Sequence, residues 1–353
     1  MNARDIIVIG ASAGALDALR KVISELPFDL RATVFVVRHT IASAESLLPE
    51  ILERAGRLKA THPDDGERFK PGHIYCAPPD RHMLIEDGCV RLTRGPKENR
   101  FRPAVDPLFR SAALALRTRV VGVIFSGALD DGTAGLWSVK YRGGVTIVQD
   151  THEAEFPSMP QSALNHVAID YCLPIQEIAP TLVRLAKDPV EGNGHGVTAS
   201  NLKIENRIAF GDFDALSSIE RLGNLSSFTC PDCHGSMREI RQEEFIRFRC
   251  RTGHAYTATA LLAEQNEMVE NTLSNTMRAL EENVALNDYL REHARRNGRR
   301  PGTDVFLSTA ESYRARLIQR ILLNHDAPFV PSVPLAINNA PLGEAEEIVE
   351  TTA

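Results

Sequence analysis

No stretch of this chain is apolar for long enough to cross a membrane. Its apolar runs are no longer than Val120–Phe125, against the ~20 residues that a spanning helix needs. A leader is not expected either, because Arg4 and Asp5 stand directly before Ile6–Ile9 and leave no apolar signal region. There is no excess of positive charge either. Forty Lys+Arg against 46 Asp+Glu give a net charge of −6, with a pI near 6.0, which argues against a nucleic-acid protein held by overall charge. Cysteine is sparse: there are six in 353 residues, with Cys230 and Cys233 spaced CxxC. In a chain expected to be cytoplasmic that spacing points to a metal rather than to disulfides. No long internal repeat is present. What remains, 43% hydrophobic and 24% charged residues, is the balance of a soluble globular protein. The length suggests two domains, or one with appendages. The reading is a soluble cytoplasmic protein with no membrane insertion and no nucleic-acid partner.

The first part alternates short β-branched runs with amphipathic helical patterns, which predicts an α/β fold. Ile6–Ile9 ends in the turn Gly10-Ala11-Ser12-Ala13-Gly14, and Leu16, Leu19, Val22, Ile23 and Leu26 follow at helical spacing until Pro27. Val34–Val37 ends at Arg38-His39, and residues 45–58 read as a helix. His73–Cys76 and Met83–Ile85 read as strands, and Asp87-Gly88 is a hairpin signal before Val90-Arg91-Leu92. Residues 108–116 read as helix, and Val120–Phe125 as a strand buried on both faces, as parallel strands are. A helix from near Thr133, a strand over Gly144–Gln149 and a helix from Pro160 follow, and Thr181–Leu185 closes the domain. The expected architecture is a doubly wound, mostly parallel sheet with helices on both faces, plus a small zinc ribbon and C-terminal helices. The expected divisions are a catalytic domain over 1–188, a Gly/Asn/Ser-rich linker over 189–225 and a ribbon over 226–257. A helical extension over 258–325 and a disordered, proline-rich and acidic tail over 326–353 complete the chain.

Gly10-x-Ser12-x-Gly14 between a strand and a helix is the setting of a nucleophile elbow, where small neighbours let a serine hydroxyl stand clear of the sheet. A glycine-rich turn in that place also suits a phosphate or dinucleotide. Here the G-x-G-x-x-G pattern is broken at Ser12, and no acidic residue ends the second strand to hold a ribose. His39 directly follows the second strand, and Asp130-Asp131 follow the most buried one. In a doubly wound sheet the carboxyl ends of such strands share one edge, so the three groups can meet there. A serine needs a base to take its proton, and the base needs an acid to fix its tautomer. The blander readings are a surface histidine and two helix N-caps. Asp131 is preferred over Asp130 because it abuts Gly132. His62, His73, His82, His152 and His166 follow no strong buried strand.

Residues 4–186 resemble the catalytic domain of CheB-type protein-glutamate methylesterases, which demethylate bacterial chemotaxis receptors. The resemblance lies in IGASAGALDAL (9–19), VFVVRHT (34–40), PGHIYCAPPDRHM (71–83), RFRPAVDPLFRSAA (100–113), VIFSGALDDGTAGL (123–136), GGVTIVQD (143–150) and FPSMPQSAL (156–164), in family order. It implies Ser12 as nucleophile, His39 as base and Asp131 as acid, with no cofactor for catalysis. It also implies an oxyanion held by the backbone N–H groups of Ala13 and Ala128. The substrate implied is a methylated chemoreceptor, whose glutamate methyl esters would be hydrolysed to release methanol, with glutamine deamidation as a related activity. Ala13, Ala15 and Ala128-Leu129 depart from the residues usual there and bear on rate more than on reaction type. Chemotaxis members of the family usually carry an amino-terminal phospho-receiver domain. With the first strand at Ile6, that switch is expected to be absent and control to come from the carboxyl end. The alternative reading, from another class, is a non-catalytic signalling adaptor that uses the fold as a binding platform.

Cys230-x2-Cys233 and Cys250-x3-His254 give one ligand pair from each of two turns, a pattern suited to tetrahedral Zn²⁺ in a ribbon too small to fold unaided. The fourth ligand is His254 or His234, with His254 favoured because His234 would have to reach from within the first knuckle. A metal-free or redox CxxC is the competing reading. FTCPDCHGSM…RFRCRTGHAY resembles a carboxyl-terminal extension found on some stand-alone CheB-type proteins. Residues 258–297 form one long helical pattern with Leu262, Val269, Leu273, Met277, Leu280 and Val284 on a stripe. Such a stripe calls for residues 304–323, a second subunit or a partner helix to cover it. Its basic end, from Arg291 to Arg300, complements the helix dipole.

Overall fold

The computed structural model describes residues 3–40, 42–43, 45–190, 200–242, 245–298, 314–316 and 318–319. The chain divides into two compact units, 1–267 and 268–353. In the first, β1 (Ile6–Ala11), α1 (Leu16–Glu25), β2 (Thr33–Arg38), α2 (Leu48–Ala55), β3 (Lys59–Thr61) and β4 (His73–Cys76) build one half of a sheet. The hairpin β5 (His82–Glu86) and β6 (Cys89–Thr93) stands apart as a two-stranded sheet, its turn at Asp87-Gly88 having positive φ at both residues, as a type I′ turn requires. Then α3 (Val105–Leu116), β7 (Val120–Ile124), α4 (Thr133–Tyr141), β8 (Val145–Gln149), α5 (Ser158–His166), β9 (Tyr171–Leu173) and α6 (Ile175–Leu185) complete the sheet.

The seven strands run in the order β3-β4-β2-β1-β7-β8-β9, all parallel. Period-two alternation sorts the side chains. Ile7 and Ile9 pack with α1, α2 and α6 on one face, while Ile6 and Val8 pack with α3, α4 and α5 on the other. The sheet is therefore doubly wound, with β1 at the point where the chain switches from building outward through β2 to building outward through β7. The short edge strands β3 and β9 and the full length of α6 were not legible in the sequence, because three-residue strands carry too little periodicity to separate from loop.

The stretch read as a linker over 189–225 holds helices α7 (Ser200–Ala209) and α8 (Phe213–Leu216), and this part of the expectation needs correction. Leu202, Ile208, Ala215 and Ile219 are buried, so a segment of polar composition is tied down by a few apolar anchors. It is followed by the antiparallel sheet β10 (Asn224–Thr229), β11 (Ser236–Gln242), β12 (Phe245–Cys250) and β13 (Ala255–Thr257), and by α9 (Ala258–Arg296). Residues up to Glu267 belong to the same compact unit as the α/β sheet. The expected linker before the ribbon gives way to a module that shares one compact unit with the domain.

A buried charge network makes the junction. Arg110 of α3 grips Glu98 through two bonds of 2.7 and 3.1 Å, Arg247 grips Glu205 of α7 through bonds of 2.8 and 3.1 Å, and Arg249 reaches both carboxylates at 3.0 and 3.1 Å. Burial by itself pushes Glu98 up. Arg110 and Arg249 outweigh it and hold the carboxyl at about 2, and Arg247 with its neighbours likewise keeps Glu205 far below its usual value.

In the second unit α9 continues as a long helix, with Leu273, Met277, Leu280 and Val284 half-buried at spacings of four, three and four, while Leu262 and Val269 of the sequence stripe are exposed. The expected second helix over 304–323 lies almost wholly outside the described residues, although 314–316 and 318–319 are helical, and the tail over 326–353 lies outside them entirely. No helix among the described residues is long and apolar enough to cross a membrane.

Replacing Glu205 by Ala would leave Arg247 and Arg249 short of countercharge in a dry site. Chemical denaturation is expected to show a loss of about 3–5 kcal/mol, the cost of breaking one side of a buried ion pair.

Candidate active site

Three strand ends meet on one edge of the sheet. Ser12 follows β1, His39 follows β2, and Asp131 sits in the loop between β7 and α4. The backbone holds these ends in register, with Ser12 N–H donating to Ser126 O at 3.0 Å and His39 N–H to Ala11 O at 3.1 Å. Ser12 Oγ lies 3.0 Å from His39 Nδ1, and His39 Nε2 lies 2.7 Å from Asp131 Oδ2. All three side chains are buried. With the serine hydroxyl donating to Nδ1, the ring proton is on Nε2 and donates to the carboxylate. Phe101 stacks on the imidazole with ring centroids 3.7 Å apart and planes within 7°, which fixes the ring's tilt.

Asp131 has the richest environment in the site. Its Oδ2 also accepts the Val105 N–H at 2.6 Å, and its Oδ1 accepts the Asn99 amide at 2.8 Å and the Asp106 N–H at 3.3 Å. Two of these donors are the first amides of α3, where unpaired N–H groups and the helix dipole favour an anion. Burial pushes the carboxyl up, yet the bonds from His39, Val105 and Asn99 hold it below its usual value. The next carboxyl, Asp106, shares the Asn99 amide and accepts the Gly135 N–H at 2.6 Å; burial beside Asp131 pushes it up to about 8. Asp130 faces the other way. It accepts the Thr257 hydroxyl at 2.6 Å, and burial pushes it up to about 6.

The geometry thus brings together Ser12, His39 and Asp131, as the strand-edge argument expects, and sets Asp130 aside. His82 is consumed by backbone, with Nε2 on Pro96 O at 2.9 Å and Nδ1 on the Ala104 N–H. Ala13 lines the cavity in front of Ser12, while Ala128 is exposed on the loop just past Gly127. Among the described residues neither of their N–H groups forms a hydrogen bond.

Sequence reasoning passed over Asn99, Phe101 and Ser126. Ser126 fixes the serine turn: its hydroxyl donates to Ala13 O and accepts the Phe156 N–H, both at 2.9 Å, and its N–H donates to Gln149 Oε1. None of the three carries a local signal, because each acts through a partner distant in the chain.

The cavity measures about 460 Å³, and Arg38, Lys97, Arg100 and Arg102 line it against a single acid, Asp80. Arg102 is bonded to Asp80 Oδ1 at 2.6 and 2.9 Å, and Arg100 to Glu264 and Glu267. Arg38 adds a further cation to this lining, and Lys97 stands in the field of Glu264.

A second cluster lies in the sheet β10–β13. The ligand atoms of Cys230, Cys233, Cys250 and His254 all fall within 4.8 Å of one another; His234 is not among them. The Cys233–Cys250 Sγ distance is 3.6 Å, and His254 Nδ1 is 3.6 and 3.7 Å from the Sγ atoms of Cys250 and Cys230. A tetrahedron with metal–sulfur bonds of ~2.3 Å has edges of about 3.8 Å, so the donor set fits a Zn²⁺ ion. The Thr252 hydroxyl, 3.0 Å from two of the sulfurs, is placed to donate to a thiolate.

Comparison with known proteins gives a consistent result. The sequence model described as CheB methylesterase matches residues 7–182. A Leptospira interrogans protein, provisionally named protein-glutamate methylesterase/protein-glutamine glutaminase, is 35% identical over 188 residues, which are 53% of this chain and 97% of that protein. Proteins of the same name from Maricaulis maris and Xanthomonas campestris are 36% and 37% identical. There the match takes in 52% and 51% of this chain and 47% and 51% of theirs, about half the length of each. Among solved structures, the catalytic domain of the Thermotoga maritima CheB methylesterase is 34% identical, with a TM-score of 0.49. That match covers 51% of this chain and 98% of the other.

Gly127 passes directly behind the serine. A Cβ there would stand 2.0 Å from Met159 Sδ and 2.7 Å from Ser12 Cβ. Gly127→Ala is expected to cost about 1–3 kcal/mol in thermal or chemical unfolding, as overpacking does.

Proposed function

The chain belongs to the CheB methylesterase family, and we propose that it is a serine esterase hydrolysing glutamate γ-methyl esters on methylated chemoreceptor-type proteins. The observation that carries this reading is the convergence of Ser12 Oγ, His39 and Asp131 at 3.0 and 2.7 Å on one sheet edge. Ser12 Oγ attacks the ester carbonyl while His39 Nδ1 takes its proton, and Asp131 stabilises the imidazolium formed. The tetrahedral oxyanion is held by the unengaged N–H groups of Ala13 and Ala128, each such donor being worth ~3–4 kcal/mol. The imidazolium then gives its proton to the departing methoxide, and methanol leaves. Water, deprotonated by the same ring, cleaves the acyl-serine and restores the hydroxyl and a glutamate carboxylate. With a glutamine side chain the same steps expel ammonia. The basic cavity supports this choice of substrate, because a methyl-accepting segment rich in glutamate brings negative charge and the reaction adds one more.

The cysteine–histidine cluster is a structural zinc site in this reading. It holds the turns at Cys230–Gly235 and Cys250–His254 and takes no part in the chemistry, which needs no cofactor.

Methanol release from methylated receptor measures the esterase directly. Ser12→Ala is expected to lower the rate by ~10⁶-fold, as loss of the nucleophile does in other triads. Equal rates for the two proteins leave the adaptor reading in its place. Elemental analysis of the full chain is expected to find about one zinc per molecule, with Cys230→Ser reducing it; less than about half an equivalent in the unaltered protein rejects the tetrahedral site.

A further inference from the structure

The segment Lys97–Arg102 lies between the active site and the C-terminal module, and both ends of the junction are visible in it. On one side Asn99 donates its amide to Asp131 Oδ1 at 2.8 Å and to Asp106 Oδ2 at 2.9 Å, and Phe101 stacks on His39. On the other side the same residues are tied to β12, β13 and the start of α9. The Asn99 N–H donates to Ala255 O at 2.8 Å, and the Ala255 N–H to Lys97 O at 3.2 Å. The Thr257 N–H donates to Asn99 Oδ1 at 3.0 Å, Glu98 is bonded to Arg249, and Arg100 to Glu264 and Glu267. Asn99 and Arg100 both have positive φ, 49° and 76°, a conformation that asparagine adopts readily and that is uncommon for an arginine.

The amide of Asn99 has only one useful orientation. Its NH2 group must face the two carboxyls, and its oxygen must then face a donor; that donor is the Thr257 N–H. Turning the amide over would set its oxygen against Asp131 and Asp106 and its NH2 against another N–H. We propose that Asn99 is a positioning residue for Asp131, and that the C-terminal module fixes its orientation through Thr257. On this inference, which rests on the esterase reading, residues 200–267 are part of the catalytic apparatus. They act through Asp131 and touch no substrate.

Two variants separate positioning from mere packing. Asn99→Gly keeps the left-handed backbone accessible and deletes the amide. Asn99→Asp keeps the acceptor for Thr257 but offers at most one hydrogen where the amide offers two. In both, kcat for methanol release is expected to fall about 10- to 100-fold with KM within about 3-fold, whatever the order of their melting temperatures. The second readout needs no substrate. The proton between His39 Nε2 and Asp131 Oδ2 is expected to give a proton NMR resonance downfield of the amides, shifted or broadened in both variants. An unmoved resonance in both, or a kcat that recovers with melting temperature in Asn99→Asp, overturns the inference. Hydrolysis that persists in Ser12→Ala would instead overturn the esterase reading and leave the resonance test standing.

Discussion

A carboxylate withdrawn from water keeps its charge only where donors replace the water, and the arrangement around Asp131 follows from that requirement. Two of its donors are backbone amides at the start of α3, so the helix must begin at Val105 and must point its amino end at the loop after β7. A third is the His39 ring, which brings the end of β2 into the same place. The fourth is the Asn99 amide, which brings the segment before α3 and, behind it, the C-terminal module. Satisfying one buried charge thereby fixes the relative position of most of the elements that form the site.

The same carboxylate divides the labour among its acidic neighbours. Asp106 and Asp130 are both pushed up, by burial first and then by the charge of Asp131. Asp131 has donors enough to be held below its usual value, and of the three it is the one that meets the histidine. Three neighbouring buried acids thus make three different contacts: one meets the His39 ring, one braces α4 through Gly135, and one receives the C-terminal module through Thr257.

The Glu98–Arg110–Arg249–Glu205–Arg247 network serves the site from behind. Buried ion pairs add little net stability compared with apolar packing, because their desolvation cost offsets the attraction. Their value here is directional. Arg249 engages carboxylates from both sides of the junction, Glu98 beside Asn99 and Glu205 on α7, so β12 docks in a single register. A module whose own apolar cluster is small is held by charges it could not satisfy alone.

Local pattern was enough for the elements long enough to show a period, and for the residues whose role depends on where a strand ends. Ile6–Ala11, Thr33–Arg38 and Val120–Ile124 are recognisable as strands because burial on both faces demands unbroken β-branched runs, and Ser12, His39 and Asp131 stand just beyond them. The CxxC and CxxxH pairs were legible for the same reason: residue spacing within a turn is local. The choice of Asp131 over Asp130 already went beyond this, since both precede a glycine turn and differ only in which way they face. The docking of residues 200–267 lay outside the reach of pattern altogether. Glu205, Arg247 and Arg249 read as solvent-facing charges in a polar stretch, and Asn99 reads as a loop residue. Their roles arise from contacts across 42 to 158 positions of chain, and only the closed tertiary structure brings those groups out of water and into reach of one another.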